Sequence, residues 1–318
     1  MGGAEGRKPA VQSHRFVVPM LLLLLLSSAC GDDQPAETTV TPPTTSTTAA
    51  PASSTTAASP EVTGDLVYAT WGGESLMLDM YVPTESDGAP VVILFAPVEW
   101  PRFVPDDLVA HGAIVFDVEY PFRSLRDPGE ELISDQGAGY RATAESAACA
   151  IHYARARASE QGSDTPVVVL AGYSLGGGVA ALAALFGSGI EARWEEYAVA
   201  RGGPPRQVDC EVTDGSTHVD AIVGLGAPYD LYVEYEGGWV QERDPDLWEF
   251  LYGSIGENPD LRVRLLHGET DTVVPYNISV DFEVVLADAG YDVRVIPFDG
   301  GHANLDLLVP TIIDAILP

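Results

Sequence analysis

"LAGYSLGGG", residues 170–178, ends the apolar run Val167-Val168-Val169-Leu170 and opens an Ala-rich one, with a single serine set between glycines. A short apolar run bounded by turn residues reads as a buried strand, and Leu175–Phe186 as a helix. Gly172-Tyr173-Ser174-Leu175-Gly176 thus fits G-x-S-x-G at a strand-to-helix turn. Such a turn brings backbone so close on both sides of the serine that side chains there would collide, which glycine avoids. It also lifts the Ser174 hydroxyl to the carboxyl edge of the sheet. Ser174 is therefore a candidate nucleophile. A neutral hydroxyl is a weak nucleophile, however, and needs a base that is itself oriented by a carboxylate.

Both partners are present downstream. "LLHGETDTVVPY", residues 265–276, gives a strand end, then Asp271; "FDGGHANL", residues 298–305, gives another strand end, then His302. In an open α/β sheet the site forms just beyond the carboxyl ends of strands. The order Ser174, Asp271, His302 is the one this architecture uses. Asp230, after the preceding strand, competes with Asp271 as the acid, and Glu269 does so more weakly. Of the remaining histidines only His267 falls near the site, where it reads as a strand-end hydrogen-bonding residue. His14 lies in the leader, His111 and His152 in or near helices, and His218 in a loop.

The rest of the chain supplies the sheet. Leu66–Ala69 and Leu76–Tyr81 read as a hairpin. Val91–Phe95, Ala113–Val118, Val167–Leu170, Ala221–Leu225, Val263–His267 and Val293–Pro297 read as buried strands bounded by Gly, Pro or Asp. Helix-compatible segments lie at Gln136–Ala158, Leu175–Phe186, Val280–Ala289 and Leu305–Leu317. Alternation of this kind predicts a mostly parallel sheet covered on both faces, the α/β class. Residues 229–260 do not fit it. They hold Trp239, Trp248, Phe250 and four tyrosines, too much for a simple crossover. They read as a cap over a substrate pocket, or as helix packing on the sheet.

On "LMLDMYVP", the elbow, "GAPYDL", "HGETDTVVP" and "GGH", residues 61–318 resemble the α/β-hydrolase superfamily, more narrowly its esterase and dienelactone-hydrolase-like branch. The resemblance implies an eight-stranded, mostly parallel sheet with a cap-like insertion. It implies Ser174 as nucleophile, Asp271 as orienting acid, His302 as general base, and a carboxylic ester as substrate. Dienelactone hydrolases carry cysteine where this chain has Ser174, which favours ordinary ester hydrolysis. Many relatives follow the strand Val91–Phe95 with His-Gly-Gly, whereas this chain has Ala96-Pro97-Val98-Glu99-Trp100. Pro97 has no N–H to donate, so the oxyanion donors expected are the backbone N–H groups of Leu175 and Val98. Glu99 opposes an oxyanion unless it points to solvent or pairs with Arg102. A peptidase on the same triad and a non-catalytic binding lipoprotein are the alternatives.

The N-terminus reads as a targeting segment. Arg7, Lys8 and Arg15 precede the apolar run Phe16–Leu26, too short to cross a bilayer of roughly 30 Å. Ser27-Ser28-Ala29 then precede Cys30. Residues 1–29 fit a signal peptide, and the cysteine after small residues resembles a bacterial lipobox. Cys30 would then be the lipidated first residue of an extracytoplasmic, membrane-anchored protein; cleavage nearby with simple secretion is the alternative. Residues 31–60 hold nine Thr and no aromatic residue, the composition of a disordered tether. Removing Arg7, Lys8, Arg15 and Glu5 with the leader takes 16 Lys+Arg against 47 Asp+Glu to 13 against 46, a net charge of −33. That surface repels phosphate backbones, so nucleic acid is not expected as a partner. Cys149 and Cys210 are expected to pair in an oxidising compartment, the alternative being two buried thiols. No metal or organic cofactor is implied.

Overall fold

In chain order the elements are β1 (Glu61–Trp71), β2 (Glu74–Val82), β3 (Val91–Phe95), α1 (Phe103–Ala110), β4 (Ile114–Val118), α2 (Gln136–Glu160), β5 (Val168–Tyr173) and α3 (Leu175–Leu185). They continue with α4 (Ile190–Ala200), β6 (Val208–Cys210), β7 (Ala221–Leu225), β8 (Val233–Tyr235), β9 (Gly238–Val240), β10 (Arg262–Gly268), α5 (Asn277–Asp288), β11 (Asp292–Phe298) and α6 (Leu305–Ile316). The computed structural model describes residues 60–121, 136–164, 166–186, 189–200, 208–229, 233–235, 238–240, 255–256 and 258–316. The expected signal peptide, Cys30 and the linker to residue 59 lie outside these residues. So do Asp230, Trp248, Phe250 and Tyr252.

Among the described residues one sheet of nine strands runs in the order β11-β10-β7-β5-β3-β4-β2-β1-β6. From β11 to β4 every neighbouring pair is parallel, while β2 joins β4, β1 joins β2 and β6 joins β1 antiparallel. The apolar runs sit at its centre because parallel strands are buried on both faces. Alternation along a strand then divides the core in two. Val91, Ile93 and Phe95 of β3 point into one layer, with Ile151 of α2 and Phe282 of α5. Val92 and Leu94 point into the other, with Leu108 of α1 and Ile312 of α6.

The eight strands expected become nine. The extra one is β6, three residues long at the far edge, where Ala69 pairs with Cys210 and Trp71 with Val208. Three residues with an aspartate in the middle carry no readable strand pattern, and the contacts that hold them are remote in sequence. The backbone N–H of Val208 donates to Glu145 Oε2 of α2 at 2.9 Å. Cys210 forms a disulfide with Cys149 of α2, as expected for an oxidising compartment. Helix α4 was likewise not foreseen, and α1 only as a helix without bounds near His111. Within the 229–260 segment, β8 and β9 form a two-stranded antiparallel ribbon with Val233 opposite Val240. Tyr229 is core: it is 7% exposed and stacks on Phe282 at 4.7 Å between ring centroids.

Candidate active site

The crossing of β5 into α3 builds the elbow. Ser174 adopts φ 52°, ψ −127°, and among the described residues only Asp65 is another non-glycine with positive φ. Backbone of this kind costs of order 1–3 kcal/mol and persists only where surroundings enforce it. Here they do. The Ser174 N–H donates to the Leu225 carbonyl at the end of β7, 2.8 Å away, and the Gly177 N–H donates to the Ser174 carbonyl at 2.9 Å. A Cβ on Gly172 would collide with the backbone of Gly176 and Gly177, and one on Gly176 with the Phe95 carbonyl. The expectation that both glycines are there for close approach is met. The second collision also shows that the end of β3 lies against the first turn of α3.

Strands β10 and β11 present the other two side chains. The turn after β10 is tied to the loop after β11: Glu269 N–H donates to the Phe298 carbonyl at 3.0 Å and Thr270 N–H to the Gly300 carbonyl at 3.1 Å. Thr270 Oγ1 donates to that same carbonyl at 2.8 Å. Asp271 and His302 are thus fixed relative to one another by backbone. The Asp271 side chain is fully buried. Its Oδ1 accepts the N–H groups of Val273 at 2.7 Å and Val274 at 3.0 Å. Its Oδ2 lies 2.8 Å from His302 Nδ1. His302 Nε2 lies 2.9 Å from Ser174 Oγ. Because a carboxylate only accepts, His302 Nδ1 carries the hydrogen and Nε2 is left to accept from the serine hydroxyl.

The three residues expected from sequence therefore come together in one hydrogen-bonded chain. Gly226, at φ 56°, runs so close to His302 that a Cβ would stand 2.5 Å from its carbonyl oxygen and 3.2 Å from Nδ1. The ring of Tyr173 stands 5.2 Å from that of His302, and Trp100 stands 6.3 Å from Tyr173. Burial, followed by the charge of Asp271, raises the Tyr173 phenol above its ordinary value, so it stays protonated.

Glu269 is exposed, and Asp230 lies outside the described residues. His267 is fully buried and makes the strand-end hydrogen bonds expected of it. It does more than was expected: its Nε2 is 3.2 Å from Asp271 Oδ2 as well as 2.8 Å from the Val274 carbonyl. Sequence reasoning missed that contact, and the only signal for it was the four-residue spacing within "HGETD".

Around the expected oxyanion donors, Leu175 opens α3, whose first N–H groups have no partner within the helix. Val98 is 57% exposed and Glu99 is exposed. Arg102 pairs with Asp106 at 2.8 Å and lies over the Tyr81 ring.

No protein-family model matches the chain, and no curated protein matches it in sequence. Solved structures do resemble it. Thermogutta terrifontis esterase 2 phosphoramylated by tabun aligns over 81% of this chain and 91% of its own, at 18% identity and TM-score 0.52. A truncated carbohydrate esterase from gut microbiota aligns over 81% and 96%, at 18% and 0.54. An acetyl ester-xyloside bifunctional hydrolase from Caldicellulosiruptor lactoaceticus aligns over 76% and 87%, at 18% and 0.51. With the mostly parallel nine-stranded sheet flanked by helices, this likeness identifies the α/β-hydrolase fold.

Proposed function

We propose that the chain is a serine hydrolase that cleaves small carboxylic esters through an acyl-enzyme on Ser174. The observation that carries the reading is the unbroken set of hydrogen bonds Ser174 Oγ–His302 Nε2–His302 Nδ1–Asp271 Oδ2 on a serine held at positive φ. In the proposed reaction His302 Nε2 takes the hydroxyl proton as Ser174 Oγ attacks the ester carbonyl. The tetrahedral oxyanion is held by the backbone N–H groups of Leu175 and Val98; one such donor is worth roughly 3–4 kcal/mol in a protease. His302 then gives the proton to the departing alkoxide, leaving the acyl group on Ser174. A water deprotonated by the same Nε2 releases the acid, and Ser174 recovers its proton. Asp271 keeps the imidazole in the required tautomer and stabilises the imidazolium as it forms.

Two further facts support this reading. Thermogutta terrifontis esterase 2, of the same fold, is phosphoramylated by tabun and phosphorylated by paraoxon, the class of reagent an activated serine attacks. The Cys149–Cys210 disulfide suits an extracytoplasmic protein. We extend the proposal to its location: residues 1–29 direct export, Cys30 carries lipid, and the Thr-rich linker holds the hydrolase away from the membrane, with 229–260 as cap.

A fluorophosphonate probe tests the chemistry. The expected result is a covalent adduct on the peptide containing Ser174, abolished in Ser174→Ala and slowed while excess p-nitrophenyl acetate is present as a competing substrate. Folded protein that takes no label would overturn the reading in favour of a non-catalytic binding protein.

A further inference from the structure

The carboxylate of Asp271 serves two imidazoles. Its Oδ2 lies 2.8 Å from His302 Nδ1 and 3.2 Å from His267 Nε2. Behind His267, its Nδ1 lies 2.6 Å from Ser279 Oγ, a fully buried hydroxyl in the first turn of α5. We propose that His267, fixed by Ser279, is a positioning residue of the active site: it holds Asp271 and limits how strongly that carboxylate draws the His302 proton. The proposal rests on the serine-hydrolase reading and adds a second histidine to it.

The hydrogen assignment follows from the partners. His267 Nε2 faces the Val274 carbonyl and the Asp271 carboxylate, and both only accept, so Nε2 carries a hydrogen. Burial lowers the affinity of His267 for a second proton. Its Nδ1 therefore keeps a lone pair, which accepts from the Ser279 hydroxyl. The buried contacts thus fix one tautomer, and α5 fixes the ring. The other groups facing this cluster leave the assignment unchanged. Tyr276 presents its ring edge to His267 at 5.8 Å with its phenol raised above the ordinary value, mainly by burial. Tyr173, on the far side of His302, also stays protonated.

A histidine that merely fills the end of β10 would satisfy Val274 and Ser279 and leave the triad alone. This one also brings its Nε2–H, bonded to the Val274 carbonyl at 2.8 Å, within 3.2 Å of the oxygen that His302 uses. A second donor spreads the charge on Oδ2 and lowers the basicity of the carboxylate. Without it Asp271 binds the His302 proton more tightly. His302 then titrates at higher pH, and the carboxylate loses one of the groups that aim it.

The test compares His267→Leu, His267→Gln and Ser279→Ala with the unaltered protein. One readout is the pH profile of kcat/KM for p-nitrophenyl acetate. The other is the titration of the His302 imidazole by NMR, assigned by its loss in His302→Gln. In His267→Leu, kcat should fall on the order of tenfold to a hundredfold with KM little changed, the worth of one hydrogen bond to a charged group. The acid limb and the NMR titration should both move to higher pH. Gln carries an N–H where His267 has Nε2, so His267→Gln should return both to near the original values. Ser279→Ala, which deletes one hydroxyl, should shift them in the same direction by less, and it decides the matter should His267→Leu fail to fold. Folded variants with an unmoved His302 titration overturn the proposal, as do Leu and Gln variants impaired alike. Should the unaltered protein hydrolyse no ester, the serine-hydrolase reading fails, and the NMR titration alone still decides the role of His267.

Discussion

Replacing Asp271 by Asn keeps its shape and inverts half of its hydrogen bonding, which makes it the sharpest test of the proposed acid. Three N–H groups bond this carboxylate, Val273 and Val274 on Oδ1 and His302 on Oδ2, and the His267 Nε2–H lies 3.2 Å from Oδ2. An amide has one oxygen to offer. In one orientation its NH2 confronts the two imidazoles, and in the other it confronts the two backbone donors. The second leaves buried donors unpaired at about 1–3 kcal/mol, so the first is favoured. His302 then relieves the clash by moving its hydrogen to Nε2, where it can no longer accept from Ser174. The same change in a serine protease lowers kcat by about ten-thousand-fold, or about 5.5 kcal/mol of barrier at about 1.4 kcal/mol per decade. Steady-state hydrolysis of p-nitrophenyl acetate, with thermal unfolding as a control on the fold, measures both effects. Asp271→Asn activity within tenfold of the original refutes the assignment. A dead Asp230→Asn beside an active Asp271→Asn would move the acid to the preceding strand.

Further outcomes follow from the same contacts. Cys149→Ser with Cys210→Ser opens a loop spanning 61 residues, worth about 4 kcal/mol in the chain-entropy model; urea unfolding should show a loss near that size, with esterase activity retained below the new midpoint. Gly176→Ala forces a Cβ into the Phe95 carbonyl, so activity should fall at least as severely as stability, read by fluorophosphonate labelling alongside thermal unfolding. His267, whose affinity for a proton burial holds below the ordinary value of 6.5, stays neutral in the fold where the unfolded chain binds a proton. Stability should therefore fall as pH drops below about 6.5, and His267→Gln should flatten that part of a thermal-midpoint profile.

What the sequence disclosed and what it withheld divide along one physical line. Ser174, Asp271 and His302 were legible because each sits one turn beyond an apolar run, and the strand order of the fold converts that spacing into proximity. The elbow glycines were legible because G-x-S-x-G states a steric requirement that a composition cannot hide. Strand β6 was not legible. Its three residues pair with β1 and are held by Glu145 and Cys149, more than 60 positions away, and no local pattern encodes such contacts. Val208, Asp209 and Cys210 show an apolar-polar alternation too short to separate from a loop.

His267 belongs between these cases, and its position in the fold explains why. A strand-end histidine in "HGETD" reads as one more polar residue where a sheet meets solvent. In the folded chain it is fully buried, because α5 folds back over the end of β10 and supplies Ser279 from a segment whose sequence signals only a helix. Burial turns an ordinary hydrogen-bonding residue into one with a single tautomer, and the turn from Gly268 to Asp271 brings that tautomer to the carboxylate His302 needs. The carboxylate of Asp271 is therefore held from two sides. The Val273 and Val274 amides fix one oxygen through local turn geometry that a sequence pattern can reveal. The two histidines fix the other through strand pairing and helix packing that only the assembled sheet supplies.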